Sequence, residues 1–167
     1  MADTITRLFR HLFTGDAQGR FPAPAMARIA AEIDAGETRH RGEVCFAVEG
    51  ALDARDVLRG VTARQRAIDA FGRLRVWDTA ANNGVLVYLL LADHRIEIVA
   101  DRGLAGRVTD EQWRGVCLLM EERLRAGEYA GAVVNGISAV SDLLAVHFPQ
   151  SPGAADEDEL PNQPVFL

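Results

Sequence analysis

The sequence predicts an α/β domain built on a small mixed sheet, and three observations carry that expectation. Val85 to Leu91 is an apolar run without alternation, as expected of a strand buried on both faces. Arg95 to Ala100 alternates: Ile96, Ile98 and Ala100 point one way, and Arg95, Glu97 and Val99 point the other. With the turn candidate Asp93-His94 between them, the two segments form an antiparallel hairpin. The third observation is an earlier apolar strand, Glu43 to Glu49, separated from the hairpin by a helical stretch. Strand, helical crossover and strand imply a parallel pair with a right-handed connection.

The remaining elements follow in chain order. Residues 4–13 carry Ile5, Leu8, Phe9, Leu12 and Phe13 at helical spacing opposite Arg7, Arg10 and His11, with Gly15 as the stop. This predicts a helix packed on the body, or alternatively a membrane-surface or partner helix. Residues 16–22 are loop-like. Pro22 and Pro24 open a helix that runs to about Ala35, with Met26, Ile29, Ala30 and Ile33 as its stripe and Gly36 at its end; residues 37–42 are expected to be a connector. Asp53 to Leu74 reads as two helical pieces meeting near Gly60. Thr62 and Gln65 make a capping box, and Ala67, Ile68, Phe71 and Leu74 the buried face.

After the hairpin, Thr109 and Gln112 repeat the capping box. Trp113, Val116, Cys117, Met120 and Leu124 follow helical spacing to Gly127. The last helix covers about 128–147, with Val133, Ile137, Val140 and Leu144 as its stripe. Gly131 and Gly136 are poor helix formers, and close packing against the sheet is the expected reason for them. Domain 1–150 is followed by a tail, 151–167, that contains the acidic run Asp156 to Glu159 and is expected to be flexible and solvated. Its apolar end, Val165 to Leu167, is expected to dock on this subunit or on a neighbour. A further short strand is sought in 74–78 or 104–108.

Composition narrows the function. A chain of 167 residues, 49% apolar and 25% charged, is sized for one domain with its own core. A net charge of −6 argues against a nucleic-acid partner, which needs a basic face. There is no Lys, which excludes a lysine nucleophile or Schiff base. Cys45 and Cys117 are expected to be buried apolar residues, and the scattered histidines form no zinc pattern. No signal-peptide pattern opens the chain, and no apolar run reaches the roughly 18 residues that would span a bilayer, so a cytoplasmic location without a transmembrane segment is expected.

The hairpin places the start of its first strand beside the end of its second. Arg41, Glu43, Asp78, Asn82, Asn83, Asp101 and Arg102 are therefore expected at one edge of the sheet, with Gly84 and Gly103 as turn residues and Glu49 at the opposite edge. Glu43, Asp78, Asn82, Asn83 and Asp101 supply the oxygen donors that calcium or magnesium requires. Arg41 and Arg102 are candidates to hold phosphate, with Asp101 or an activated water as the attacking group. His40 and His94 are weaker acid–base candidates, His94 being expected at a solvated turn.

Trp77, Thr79, Asn83, Gly84, Val85 and Leu86 form a W-x-T-x-x-x-N-G-V-L pattern, followed by Asp101-x-Gly103 and by Trp113 in the next helix. In this the chain resembles the TPM domain family, in particular a short soluble branch, over about residues 41–148. The resemblance implies a three-layer α/β/α sandwich, Rossmann-like in its layering. Among relatives it implies acid phosphatase activity for some and calcium binding for others, with roles around membrane proteins. Asn82 stands where the wider family often has Asp, which removes one carboxylate. The expected function is an accessory module that binds a protein partner, such as a membrane-associated one, or a weakly held divalent cation; the alternative is a metal-assisted acid phosphatase.

Overall fold

The computed structural model describes residues 2–151 and 159–167. The helices are α1 (Ala2–Phe13), α2 (Ala17–Arg20), α3 (Ala23–Glu37), α4 (Ala54–Leu58), α5 (Ala63–Arg73), α6 (Asp110–Arg125) and α7 (Tyr129–His147). The strands are β1 (Glu43–Glu49), β2 (Gly84–Leu90), β3 (Arg95–Ala100) and β4 (Val165–Phe166), and Arg102–Leu104 forms a 3-10 turn. Strand order is β3-β2-β1-β4. β1 and β2 are parallel with Glu43 opposite Gly84, whereas β2 and β3 are antiparallel with Val85 opposite Ala100.

Alternation along the strands divides the interior into two cores. Val44, Phe46, Val48, Val85, Val87 and Leu89 meet α3, α6 and α7 on one face. Cys45, Ala47, Leu86, Tyr88 and Leu90 meet α4 and α5 on the other. This is the three-layer α/β/α arrangement. Cys45 and Cys117 are free, buried and on opposite faces of the sheet. Both capping boxes form, Thr62 with Gln65 and Thr109 with Gln112. Gly60 and Gly127 take positive φ of 74° and 82° where their helices end.

Several sequence expectations are corrected. The hairpin connection is four residues, 91–94, because Leu90 pairs with Arg95; His94 closes it at a φ of 49°. Residues 17–20 form the short helix α2, capped by the Asp16 side chain. α3 continues through Gly36, which is pressed against Ser141 of α7 and has no room for a side chain. Ile68 is exposed, and Ala63 and Ala70 occupy the buried face of α5 instead. Gly136 serves packing against Met120 of α6 rather than against the sheet, and Gly131 has open space around it.

The fourth strand comes from the tail, not from 74–78 or 104–108. Val165 and Phe166 add parallel to the edge of β1, and the Leu167 amide donates to the Val48 carbonyl at 3.0 Å. Leu160 is buried, so residues 159–167 are docked on this subunit rather than solvated. Most of the acidic run, 156–158, lies outside the described residues. α7 is long and apolar enough to cross a membrane by length and composition, contrary to the expectation from sequence, but its stripe of Val133, Ile137, Val140 and Leu144 is fully buried in the core.

α1 is a helix packed on the body, as expected, but its polar face is the one turned inward. Arg7 grips Asp93 through Nε and Nη2 at 2.7–3.2 Å and donates to the Val61 carbonyl at 2.8 Å. His11 is buried, with Nε2 at 3.1 Å from Asp93 and Nδ1 accepting from the Leu52 amide at 2.9 Å. Leu8 is half-buried, while the rest of the apolar stripe faces outward.

Candidate functional site: the loop edge of the sheet

Residues Asn82 to Gly84 lead into β2, and Asp101 to Gly103 lead out of β3. The hairpin register brings the two segments side by side. The Asp101 amide donates to the Gly84 carbonyl at 2.9 Å, and the Gly103 amide donates to the Asn82 carbonyl at 2.8 Å. Asn82 adopts a φ of 52°, a left-handed conformation that Asn tolerates better than most residues, and its Oδ1 accepts from Arg102 Nε at 2.8 Å. Both motif glycines are there for close approach. A methyl on Gly84 would overlap the Val76 carbonyl, and one on Gly103 would overlap the Asn82 carbonyl and lie 2.6 Å from the Ala81 oxygen.

Asn83 is 1% exposed. Its amide donates to Thr79 Oγ1 at 3.1 Å, and its Nδ2 donates to the Arg41 carbonyl at 2.5 Å, which ties the loop to the start of β1. Thr79 is thus the loop's internal brace, a role its place in the motif did not reveal. Asn83 Oδ1 is buried and has no hydrogen-bond donor among the described residues. Asp101 Oδ1 caps the 3-10 turn by accepting from the Arg102 amide at 2.7 Å, whereas Asp101 Oδ2 is also buried with no donor among the described residues. Two acceptor oxygens lacking donors therefore belong to segments joined by the bond between Gly84 and Asp101.

The other expected site residues are distributed differently. Glu43 starts β1 opposite Gly84 and is 2% exposed, but its Oε2 accepts from the Leu160 amide of the tail at 3.2 Å. Glu159 accepts from the Ala80 amide, so the tail is fixed to this loop at two points. Asp78 is exposed and pairs with Arg75 at 2.5 Å. The Arg41 side chain is exposed while its carbonyl serves Asn83. Trp77 is half-exposed beneath Arg75, and Trp113 is half-buried against the core. His40 is fully buried and out of reach of solvent; His94 is exposed at the far turn. Among the described residues no three acidic, His or Cys side chains converge as a metal cluster.

Beside Asp101 a cleft of about 530 Å³ runs along the outer edge of β3 to the start of α6. Arg64, Arg102 and Arg114 line it together with Glu97, Asp110 and Trp113. The outward main chain of β3 is already guarded: Arg64 donates to the Ile98 carbonyl at 2.5 Å, and the Ile96 amide donates to Glu121 at 3.4 Å. Cys117, at the cleft wall, has its thiol pushed up to about 11 by burial and is not a nucleophile at neutral pH.

The TPM domain model matches residues 15–143, most of the chain. The chain belongs to the TPM domain family. The match starts after α1 and stops before the tail. Among solved structures, the BA42 protein of the psychrophilic bacterium Bizionia argentinensis is similar at 27% identity and a TM-score of 0.76, covering 87% of this chain and 94% of that one. The N-terminal domain of the cg2496 protein from Corynebacterium glutamicum shares the fold, with 13% identity, a TM-score of 0.58, and coverage of 85% and 82%. Comparison with curated proteins gives no match.

Proposed function

We propose that this TPM domain is an accessory binding module of the cytoplasm whose working surface is the loop edge, where it holds a divalent cation weakly and meets a protein partner. The observation that carries this reading is the pair of donor-free buried oxygens, Asn83 Oδ1 and Asp101 Oδ2. Burying an acceptor without a donor is unfavourable by about 1–3 kcal/mol. A calcium or magnesium ion, or a donor brought by a partner, would relieve that cost.

The donor set fits calcium better than a transition metal, since it consists of carboxylate, amide and backbone carbonyl oxygens. Asp101 and Asn83 would hold the ion, with the carbonyls near Gly103 as further donors. Only one carboxylate is uncommitted, because Asp78 pairs with Arg75 and Glu43 is engaged by the tail. Binding is therefore expected to be weak. An NMR titration tests this: calcium should shift the amides of residues 82–84 and 101–103 and leave those of 91–94 at the opposite end unmoved. Uniform small shifts, or none, would refute a site at this edge.

The phosphatase reading has one observation in its favour, the cleft in which Arg64, Arg102 and Arg114 lie beside Asp101. These guanidinium groups can engage the non-bridging oxygens of a phosphate monoester, and Asp101 is the neighbouring carboxylate able to act as nucleophile or base. A bound cation would add charge neutralisation. Hydrolysis of a chromogenic phosphate ester no faster than by an Asp101→Ala control, with and without calcium or magnesium, would eliminate this reading.

A further inference from the structure

α1 presents its apolar face to solvent. Ile5, Phe9, Leu12 and Phe13 are 56%, 57%, 59% and 78% exposed, and the rings of Phe9 and Phe13 stack in parallel with centroids 6.1 Å apart. Leu58, on the α4 helix packed beside α1, is 65% exposed. An amphipathic helix on a globular protein ordinarily buries its apolar stripe. Here the bonds from Arg7 and His11 to Asp93 hold the opposite face down, so the stripe contributes little to the packing of this subunit. Clusters of exposed large apolar side chains mark surfaces that meet something else.

What lies next to the stripe narrows the occupant. At the C-terminal end of α1 a cleft of about 280 Å³ opens beside Phe13, lined by Arg10, Arg20, His94 and Tyr129 and, among the described residues, by no acidic one. Arg20 stacks over the Tyr129 ring at 4.8 Å and donates to its hydroxyl, which fixes the guanidinium at the rim. Arg10 is half-exposed and only loosely paired with Asp93, at 3.5 Å. On a chain of net charge −6 this is a local basic site suited to an anion, joined to an apolar slab.

We propose that α1 is a membrane-docking face that lies on a bilayer containing anionic phospholipid. Its four apolar side chains enter the acyl boundary, and the Arg10–Arg20 cleft receives a lipid phosphate. A second copy of the chain fits this face less well, since a symmetric pair would bring another basic cleft rather than an anion. A free phosphate would have no use for the stripe. Because His94 and the Asn82–Gly84 loop lie at opposite ends of β2, docking here leaves the loop edge directed into solution.

Full-length protein floated with vesicles provides the test. It should bind phosphatidylcholine vesicles containing about one third phosphatidylserine at least about tenfold more tightly than phosphatidylcholine alone. Phe9→Ser/Phe13→Ser should lose binding by about tenfold or more. Arg10→Gln/Arg20→Gln should erase the preference for anionic lipid, and millimolar inorganic phosphate should not displace the wild type. All substituted side chains are substantially exposed, so circular dichroism melts matching the wild type are expected and confirm intact folds. The proposal is overturned by absence of binding to the anionic vesicles, or by equal binding of the Phe9→Ser/Phe13→Ser variant. It is equally overturned if the wild type elutes as a dimer that this variant converts to monomer, which would make a second copy the occupant.

Discussion

Gly103→Ala probes the architecture of the loop edge with a single methyl group. That methyl would overlap the Asn82 carbonyl and lie 2.6 Å from the Ala81 oxygen, both backbone atoms that no rotamer change can remove. The 101–103 turn must then separate from the 81–83 loop, stretching the bond from the Gly103 amide to the Asn82 carbonyl, 2.8 Å in the native fold. A lost backbone hydrogen bond amounts to about 1 kcal/mol net, and overpacking adds about 1–3 kcal/mol. The expected destabilisation is about 2–4 kcal/mol, which lowers Tm by roughly 5–15 °C for a domain of this size. Urea unfolding followed by tryptophan fluorescence measures it, with Gly115→Ala as the control. Gly115 is exposed in α6 with open space around it, so its alanine variant should gain up to about 1 kcal/mol. A Gly103→Ala protein within about 0.5 kcal/mol of wild type would refute the claim that backbone contact, rather than turn flexibility, requires glycine here.

Other outcomes are expected from the buried polar groups and the thiols. Arg66→Ala should destabilise by about 3 kcal/mol, since it leaves Glu49, 5% exposed, without the guanidinium that contacts it at 2.8–3.1 Å; Tyr88→Phe, which removes a hydroxyl donating to Glu49 at 2.6 Å, should cost about 1–2 kcal/mol in the same denaturation assay. Burial alone would raise the Asp93 carboxyl, but hydrogen bonds from Arg7 and His11 reverse this and hold it below the ordinary 3.8. A depressed carboxylate stabilises the fold above its unfolded pKa and loses that contribution as pH falls through the lower folded value, so the protection factors of the α1 amides should fall only below about pH 3.8, whereas Asp93→Asn should release α1 at neutral pH. Burial pushes the thiols of Cys45 and Cys117 up to about 11, so a thiol reagent at mildly alkaline pH should label neither until the protein is unfolded.

The central sheet was legible because its strands carry unambiguous patterns. β1 and β3 have the ends expected from sequence, and the parallel crossover follows from two apolar strands separated by helices. The meeting of Asn82–Gly84 with Asp101–Gly103 was legible for the same reason, since hairpin register leaves no other place for them. The pairing of Asp78 with Arg75 was not legible, because proximity in sequence to the loop says nothing about a local partner. The capture of Glu43 by Leu160 is a contact across 117 residues, made by a tail whose composition suggested solvation. The helix and its packing on the body were legible for α1, but its inward face was not. A stripe reports which face is apolar, not which face is inward, and an acid in the β2–β3 turn decided the matter by holding Arg7 and His11.

The claim that matters most is that the donor-free oxygens of Asn83 and Asp101 mark a cation site. Calcium titration by calorimetry on metal-stripped protein tests it most directly, beside Asp101→Ala and Asp78→Ala. One weak site is expected, with Kd of about 0.1–1 mM, that disappears in Asp101→Ala and persists in Asp78→Ala. No binding heat at millimolar calcium, or binding that survives Asp101→Ala, would contradict it.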